Sequence, residues 1–236
     1  GDFDIQGGSL AGVTSSFVDT WETFKPLRDQ TFIDQSTKFV DIHRPDGKPD
    51  LLQQIEHGAL NLGAQYKNIG HLNRGIVDGH LHQYHPLGDA STQTDNKIYD
   101  PSLKPYQVEG DRSGTPDDRW VFTGRSPSLN YQGIAAMAAA ARALRGFNDG
   151  LAEECLALAK KAYAEEREYK PTGKPDRVES MFGQGAELGA VLQLMITTKE
   201  KLYTDRFNEL VWPSLEKSAG RGALPVGRAL PHLAAA

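Results

Sequence analysis

From Ser126 to Glu168 the chain spells out two helices joined by a turn that leaves them one way to pack. Ser126 is a residue whose hydroxyl can accept from an orphan amide at a helix start, and Pro127 fits the first helical position, where a missing N–H is not needed. Gly146 is the left-handed stop expected some twenty residues later. Asn148 or Asp149 caps the next helix, Glu153 and Glu154 lie near its positive end, and Leu151, Cys155, Leu158 and Ala162 recur at helical spacing. A connection this short predicts an antiparallel hairpin. The first helix holds Ala135, Ala136, Ala138, Ala139, Ala140, Ala141 and Ala143, so neighbouring backbones can come close on several sides. Repeated hairpins of this kind, a small-faced helix inside and a bulkier one outside, describe an (α/α) barrel.

The other helices have the same punctuation. Leu10, Val13, Phe17, Trp21 and Phe24 mark one helix, stopped by Pro26. A turn at Asp46-Gly47-Lys48-Pro49-Asp50 opens a second, with the apolar stripe Leu51, Ile55, Ala59, Leu62 and Tyr66 ending at Gly70. His57 lies beside that stripe and reads as a packed or edge residue. Lys170 to Asp176 is a linker within the fold, Val178 to Thr197 a further helix, and Tyr203 to Ser218 another, expected to break at Pro213. The expected class is all-α, with about seven helices in one domain. The exception is Gly75 to Thr115, which has no helical period and many turn formers. A run that long inside a compact domain is usually functional, so it reads as a rim loop facing substrate.

A hydrophobic share of 39% with 24% charged residues suits a globular chain able to bury a core. The net charge of -5, with no stripe of Lys or Arg, argues against a nucleic-acid partner. No apolar run reaches the roughly 18 to 20 residues that a membrane span needs. Cys155, the lone cysteine, excludes an internal disulfide and reads as a small core residue.

Within the rim segment, Asp78-Gly79-His80-Leu81-His82 mimics the Asp-x-His-x-His zinc motif of amidohydrolase barrels, with His85 as a third nitrogen. Such a barrel also needs later His ligands, and His232 is the one histidine after His85. The carboxylates Asp89, Asp95, Asp100, Asp111, Asp117 and Asp118 make calcium conceivable, though without loop spacing of the usual kind. Trp120 and Tyr131 can serve as flat stacking surfaces or as hairpin core. Arg119 and Arg125 can reach hydroxyls or pair with Asp117 and Asp118.

These features together resemble glycoside hydrolase family 9, the inverting cellulases of the six-hairpin fold. The stretch Arg125 to Glu166 is similar to the family's alanine-rich hairpin, Asp50-Leu51-Leu52 with Glu56 to the opening of another, and Glu187-Leu188 with Tyr203 to a third, although the Trp usual there is absent. Gly1-Asp2-Phe3-Asp4 resembles the second half of the family's Asp-Ala-Gly-Asp motif. The resemblance implies a partial (α/α)₆ barrel over residues 1–236, cut at both ends, with fewer helices than the complete ring. It implies Asp2 as general base, paired across roughly 6.5–9.5 Å with an acid glutamate outside this sequence. It further implies an oligo- or polysaccharide substrate of the β-1,4-glucan type and a secreted or periplasmic location. Under it His80, His82, His85, Trp120, Arg125 and Tyr131 are the expected sugar contacts, no resident cofactor is required, and calcium binding is known among members. The alternatives are an inactive carbohydrate-binding or interaction module built of helices, and the zinc amidohydrolase.

Overall fold

The computed structural model describes residues 5–34, 36–37, 39–77, 95, 97–116, 118, 120–171, 177–217, 226–227 and 230. In chain order the elements are β1 (Ile5–Gln6), α1 (Gly7–Phe24), β2 (Phe32–Asp34), β3 (Phe39–Asp41), α2 (Asp50–Ile69), β4 (Gly75–Val77), β5 (Ile98–Tyr99), β6 (Val108–Glu109), β7 (Arg112–Ser113), β8 (Trp120–Phe122), α3 (Pro127–Ala143), α4 (Asp149–Glu168), α5 (Arg177–Thr198) and α6 (Lys201–Lys217).

The six helices form three hairpins, α1 with α2, α3 with α4 and α5 with α6. Their first members stand side by side in the order α1, α3, α5, while α2 and α4 touch behind them. This is an arc of inner helices backed by outer ones. Alanine puts α3 at its centre. Ala136, Met137, Ala138, Ala139, Ala140 and Ala141 are all buried, and six consecutive residues go right round a helix, so no side of α3 faces water there.

The ends of this hairpin follow the sequence closely. Ser126 Oγ accepts from the Leu129 amide at 3.4 Å, Pro127 occupies the first turn, Gly146 takes φ 79°, and Asn148 Oδ1 accepts from the Leu151 amide at 3.1 Å. Close approach elsewhere is set by two glycines. A Cβ on Gly58 of α2 would lie 2.2 Å from Thr14 Oγ1 on α1, and one on Gly133 of α3 would lie 2.7 Å from the Tyr66 hydroxyl on α2.

Arg142, in the last turn of α3, binds the inner row together. Its Nε and Nη2 donate to the two carboxylate oxygens of Glu22 on α1, Nη1 donates to Thr197 Oγ1 on α5 at 2.8 Å, and Nη2 also reaches Gln193 Oε1 at 3.1 Å. Thr197 in turn donates to the Ala138 carbonyl at 2.9 Å. One side chain therefore spans all three inner helices.

Three expectations change. The fold is helical but not purely so: β1, β4 and β8 form an antiparallel sheet in that order, β2 and β3 a hairpin, and β5, β7 and β6 a third small sheet. Part of the Gly75–Thr115 segment is therefore strand, in pieces of two or three residues that are too short to show alternation. Six helices of this size are present among the described residues, where about seven were expected. And α6 runs through Pro213 without a break, because both that residue and Glu209 are exposed, so water can meet the carbonyl that the proline leaves without a donor.

Candidate active site

The sheet β1-β4-β8 closes one end of the arc. Ile5 pairs with Ile76 and Gln6 with Gly75, while Gly75, Ile76 and Val77 pair with Phe122, Val121 and Trp120. Each strand is attached to a helix: β1 runs straight into α1, β4 follows α2, and β8 precedes α3. Gly7 makes the junction close, since a Cβ there would lie 2.1 Å from the Asn73 carbonyl oxygen. Any side chain would collide with that backbone, so glycine is required where α1 starts.

The same sheet joins the strands beside which the sequence candidates stand in the chain. Asp2 stands three positions before β1, His80, His82 and His85 follow β4, and Trp120 opens β8 opposite Val77. Asp2, Asp78, the three histidines, Arg119, Asp89 and Asp117 themselves lie outside the described residues.

Arg125 and Tyr131 are both among the described residues. Among the described residues Arg125 pairs with Glu166, not with Asp118. Its Nε and Nη2 donate to Glu166 Oε2 of α4 at 3.2 and 2.8 Å, and its guanidinium lies 4.2 Å over the Tyr169 ring. Asn130 Nδ2 donates to the same Glu166 oxygen, Asn130 Oδ1 accepts from the Leu72 amide at 3.2 Å, and the Tyr66 hydroxyl donates to the Asn130 carbonyl at 2.9 Å. Glu166 is buried, and its Oε1 has no hydrogen-bond partner among the described residues. Burial, then the Glu166 charge, raises the Tyr66 hydroxyl well above its usual range, so it stays neutral at physiological pH.

Tyr131 is half-buried and packs on Tyr163 with ring centroids 6.2 Å apart, and Tyr163 meets Tyr203 edge-on at 5.6 Å. Burial, with the charges of Glu187 and Glu166 behind it, raises the Tyr131 hydroxyl. Glu187 is held by Arg206, Nε to Oε1 at 2.8 Å and Nη2 to Oε2 at 3.0 Å, and accepts from the Tyr163 hydroxyl at 3.2 Å.

The sequence reading missed Glu166, Asn130 and Tyr66 as a linked set. One signal was legible: Glu166 continues the Cys155, Ala159, Ala162 stripe at helical spacing, so a carboxylate falls on the buried face of α4. Its partner 41 residues away carries no local mark.

Among the described residues no three His, Cys, Asp or Glu side chains gather as metal ligands would. Asp100 accepts from the Ser102 hydroxyl and amide and from Arg112, and Asp118 Oδ2 accepts from the Tyr99 amide at 2.6 Å. The strand-then-helix repetition of an amidohydrolase barrel does not occur among the described residues, so the Asp78-x-His80-x-His82 match lacks the fold that gives it meaning.

Comparison with solved structures places this architecture. A metagenome-derived glycoside hydrolase family 9 endoglucanase matches with a TM-score of 0.60 at 16% identity, over 89% of this chain and 34% of its own. The chain has the fold of family 9 endoglucanases. AaCel9A in complex with cellobiose-like isofagomine matches at TM-score 0.59 and 17% identity, over 90% of this chain and 36% of that one. An endoglucanase from the termite Nasutitermes takasagoensis matches at TM-score 0.55 and 13% identity, over 89% and 42%. The chain thus spans about a third to two fifths of the length of these relatives in fold. No family model and no curated protein matches the sequence. Among the described residues no helix is long and apolar enough to cross a membrane.

Proposed function

We propose that this chain forms part of an inverting glycoside hydrolase acting on a β-1,4-glucan or a related oligosaccharide, with Asp2 as the general base. The observation that carries the reading is the sheet β1-β4-β8 on a family 9-like arc, because it joins the strand after Gly1-Asp2 to the strands that border the histidine segment and begin with Trp120. In this reading Asp2 takes a proton from water as the water attacks the anomeric carbon, and an acid on a part of the ring beyond these three hairpins protonates the leaving oxygen. The two carboxyl groups stand apart by the width of that water. Histidines of the 80–85 segment and Trp120 contribute sugar contacts, with Arg125 and Tyr131 held beneath the rim by Glu166 and Tyr163. A polymeric substrate of this kind goes with a secreted or periplasmic site of action.

The test is Asp2→Ala in the full polypeptide, assayed on cellotetraose with the anomer of the first product followed by NMR. Loss of a general base lowers turnover about 10²- to 10⁴-fold, with the α-anomer appearing first from the parent protein. Near-normal hydrolysis by the variant would sink the assignment. Calorimetry that finds cellotetraose bound by a protein showing no hydrolysis would favour the alternative, a helical carbohydrate-binding module.

A further inference from the structure

A cavity of about 400 Å³ opens at the opposite end of the helices from the β1-β4-β8 sheet, between the end of α1, the start of α2 and the α3–α4 turn. The length of α1 puts it about 27 Å from the helix start that Asp2 precedes. Its size is within the range of small-ligand sites. Trp21, Glu22, Lys25, Arg142, Arg145 and Phe147 supply its chemistry.

Among the described residues the charges there do not cancel. Arg142 and Glu22 satisfy each other as described above. Lys25 and Arg145 remain, and among the described residues neither has a carboxylate within ion-pair distance. The Lys25 ammonium sits 5.0 Å over the Trp21 ring, and Arg145 makes one long bond, 3.4 Å, to the Thr197 carbonyl. Two exposed cations and an indole thus line one cavity in a chain whose overall charge is -5.

The backbone supplies a separate observation. Lys25 caps α1 in the left-handed region, at φ 46° and ψ 50°. Glycine is the usual residue there, because a Cβ crowds the following carbonyl oxygen. Helix α2 ends at the equivalent place with Gly70, which avoids that crowding. A lysine held in this conformation at the mouth of a cavity, beside an aromatic ring, has the form of strain retained for a binding role.

We propose that this cavity is a second binding site, for a ligand that joins a carboxylate to a ring, of which a hexuronic acid is the closest chemical match. The carboxylate takes the place between Lys25 and Arg145, and the ring lies along Trp21 and Phe147. The site is independent of hydrolysis at the other end, so its test stands or falls separately from the assignment of Asp2.

The experiment is titration of the ¹⁵N-labelled intact protein with D-glucuronate, D-glucose, benzoate and inorganic phosphate, following the Trp21 indole N–H, assigned with Trp21→Phe. Glucuronate is expected to move that resonance saturably in the millimolar range, with glucose at the same concentration giving no shift. Lys25→Gln with Arg145→Gln, both exposed and so folding normally, should weaken glucuronate at least tenfold with the rest of the spectrum unchanged. Tighter binding of benzoate than glucuronate would keep the site and move its natural ligand from sugar acids to aromatic acids. Absence of any Trp21 shift, equal binding of glucuronate and phosphate, or unchanged affinity in the double variant would each overturn the proposal.

Discussion

Glu166 is the residue whose removal is most informative, because it is a buried carboxylate that holds together groups from three elements. One of its oxygens serves Arg125 and Asn130 at once, and Asn130 in turn fixes Tyr66 and Leu72. Glu166→Ala leaves the Arg125 guanidinium, largely shielded from water, without a counter-charge, and is expected to lower stability by about 2–4 kcal/mol. The double variant Arg125→Met with Glu166→Met should recover most of that loss, since matched apolar side chains need no partners there. Urea unfolding midpoints of the parent and the two variants decide it; equal destabilisation by both would mean the ion pair itself stabilises. Cys155 gives a second measurement. Burial pushes its thiol up to about 12. A raised acid contributes stability below the unfolded-state pKa and loses it as pH rises towards the folded value, so protection should decline between about pH 9 and 12. At pH 8, alkylation of the native protein should be slow and should accelerate only with denaturant.

At the scale of elements, the contact between α1 and α2 turns on the absence of one carbon atom. Gly58→Ala forces a methyl against Thr14 Oγ1 and is expected to cost about 1–3 kcal/mol. Thr14→Ala in that background should return part of it, a coupling that a double-mutant cycle on thermal midpoints will show. The Arg142 clamp predicts a different pattern. Arg142→Met removes links to both α1 and α5, so hydrogen exchange should quicken at the ends of all three inner helices together, not at α3 alone. In the α1–α2 connection, the Ser36 hydroxyl foremost, then the Thr37 hydroxyl and the Ser36 amide, hold the Asp34 carboxyl down at about 2. A depressed acid contributes above its unfolded-state pKa and loses that contribution as pH falls through the folded value. The Ser36 and Thr37 amide resonances should therefore shift between about pH 4 and 2 and stay still above it. The helices were legible because caps and periods are local: Ser126, Pro127, Gly146 and Asn148 fall where their chemistry puts them. The strands were not, since two or three residues carry no period, and Phe32 to Asp41 drew no notice although it forms a hairpin.

For the whole molecule, the sequence showed an alanine helix inside an arc of hairpins, and the structure adds the order α1, α3, α5 and the end sheet that ties them. The candidate site was legible in a different way. The strands that neighbour Gly1-Asp2, the histidine run and Trp120 in the chain are far apart in sequence, and what joins those strands is pairing between residues 5, 76 and 121, which no single stretch announces. Arg125 stood at the entry of α3 with the nearby acids Asp117 and Asp118 as expected partners, whereas its bond to Glu166, 41 residues on, carries no local mark.

The burial of α3 on every side also limits how this protein can change over generations. A helix with one wet face can exchange residues freely on that face, whereas Ala136 to Ala141 offers no such outlet, and each added methylene displaces a neighbouring helix. A saturation library selected for folding should leave these six positions almost confined to Ala, Gly, Ser and, at Met137, another long apolar residue. The wet side of α4, at Glu153, Lys161 and Glu165, should accept nearly anything. Descendants of this chain would then diverge by drift around a short alanine segment that stays still, even where little else aligns.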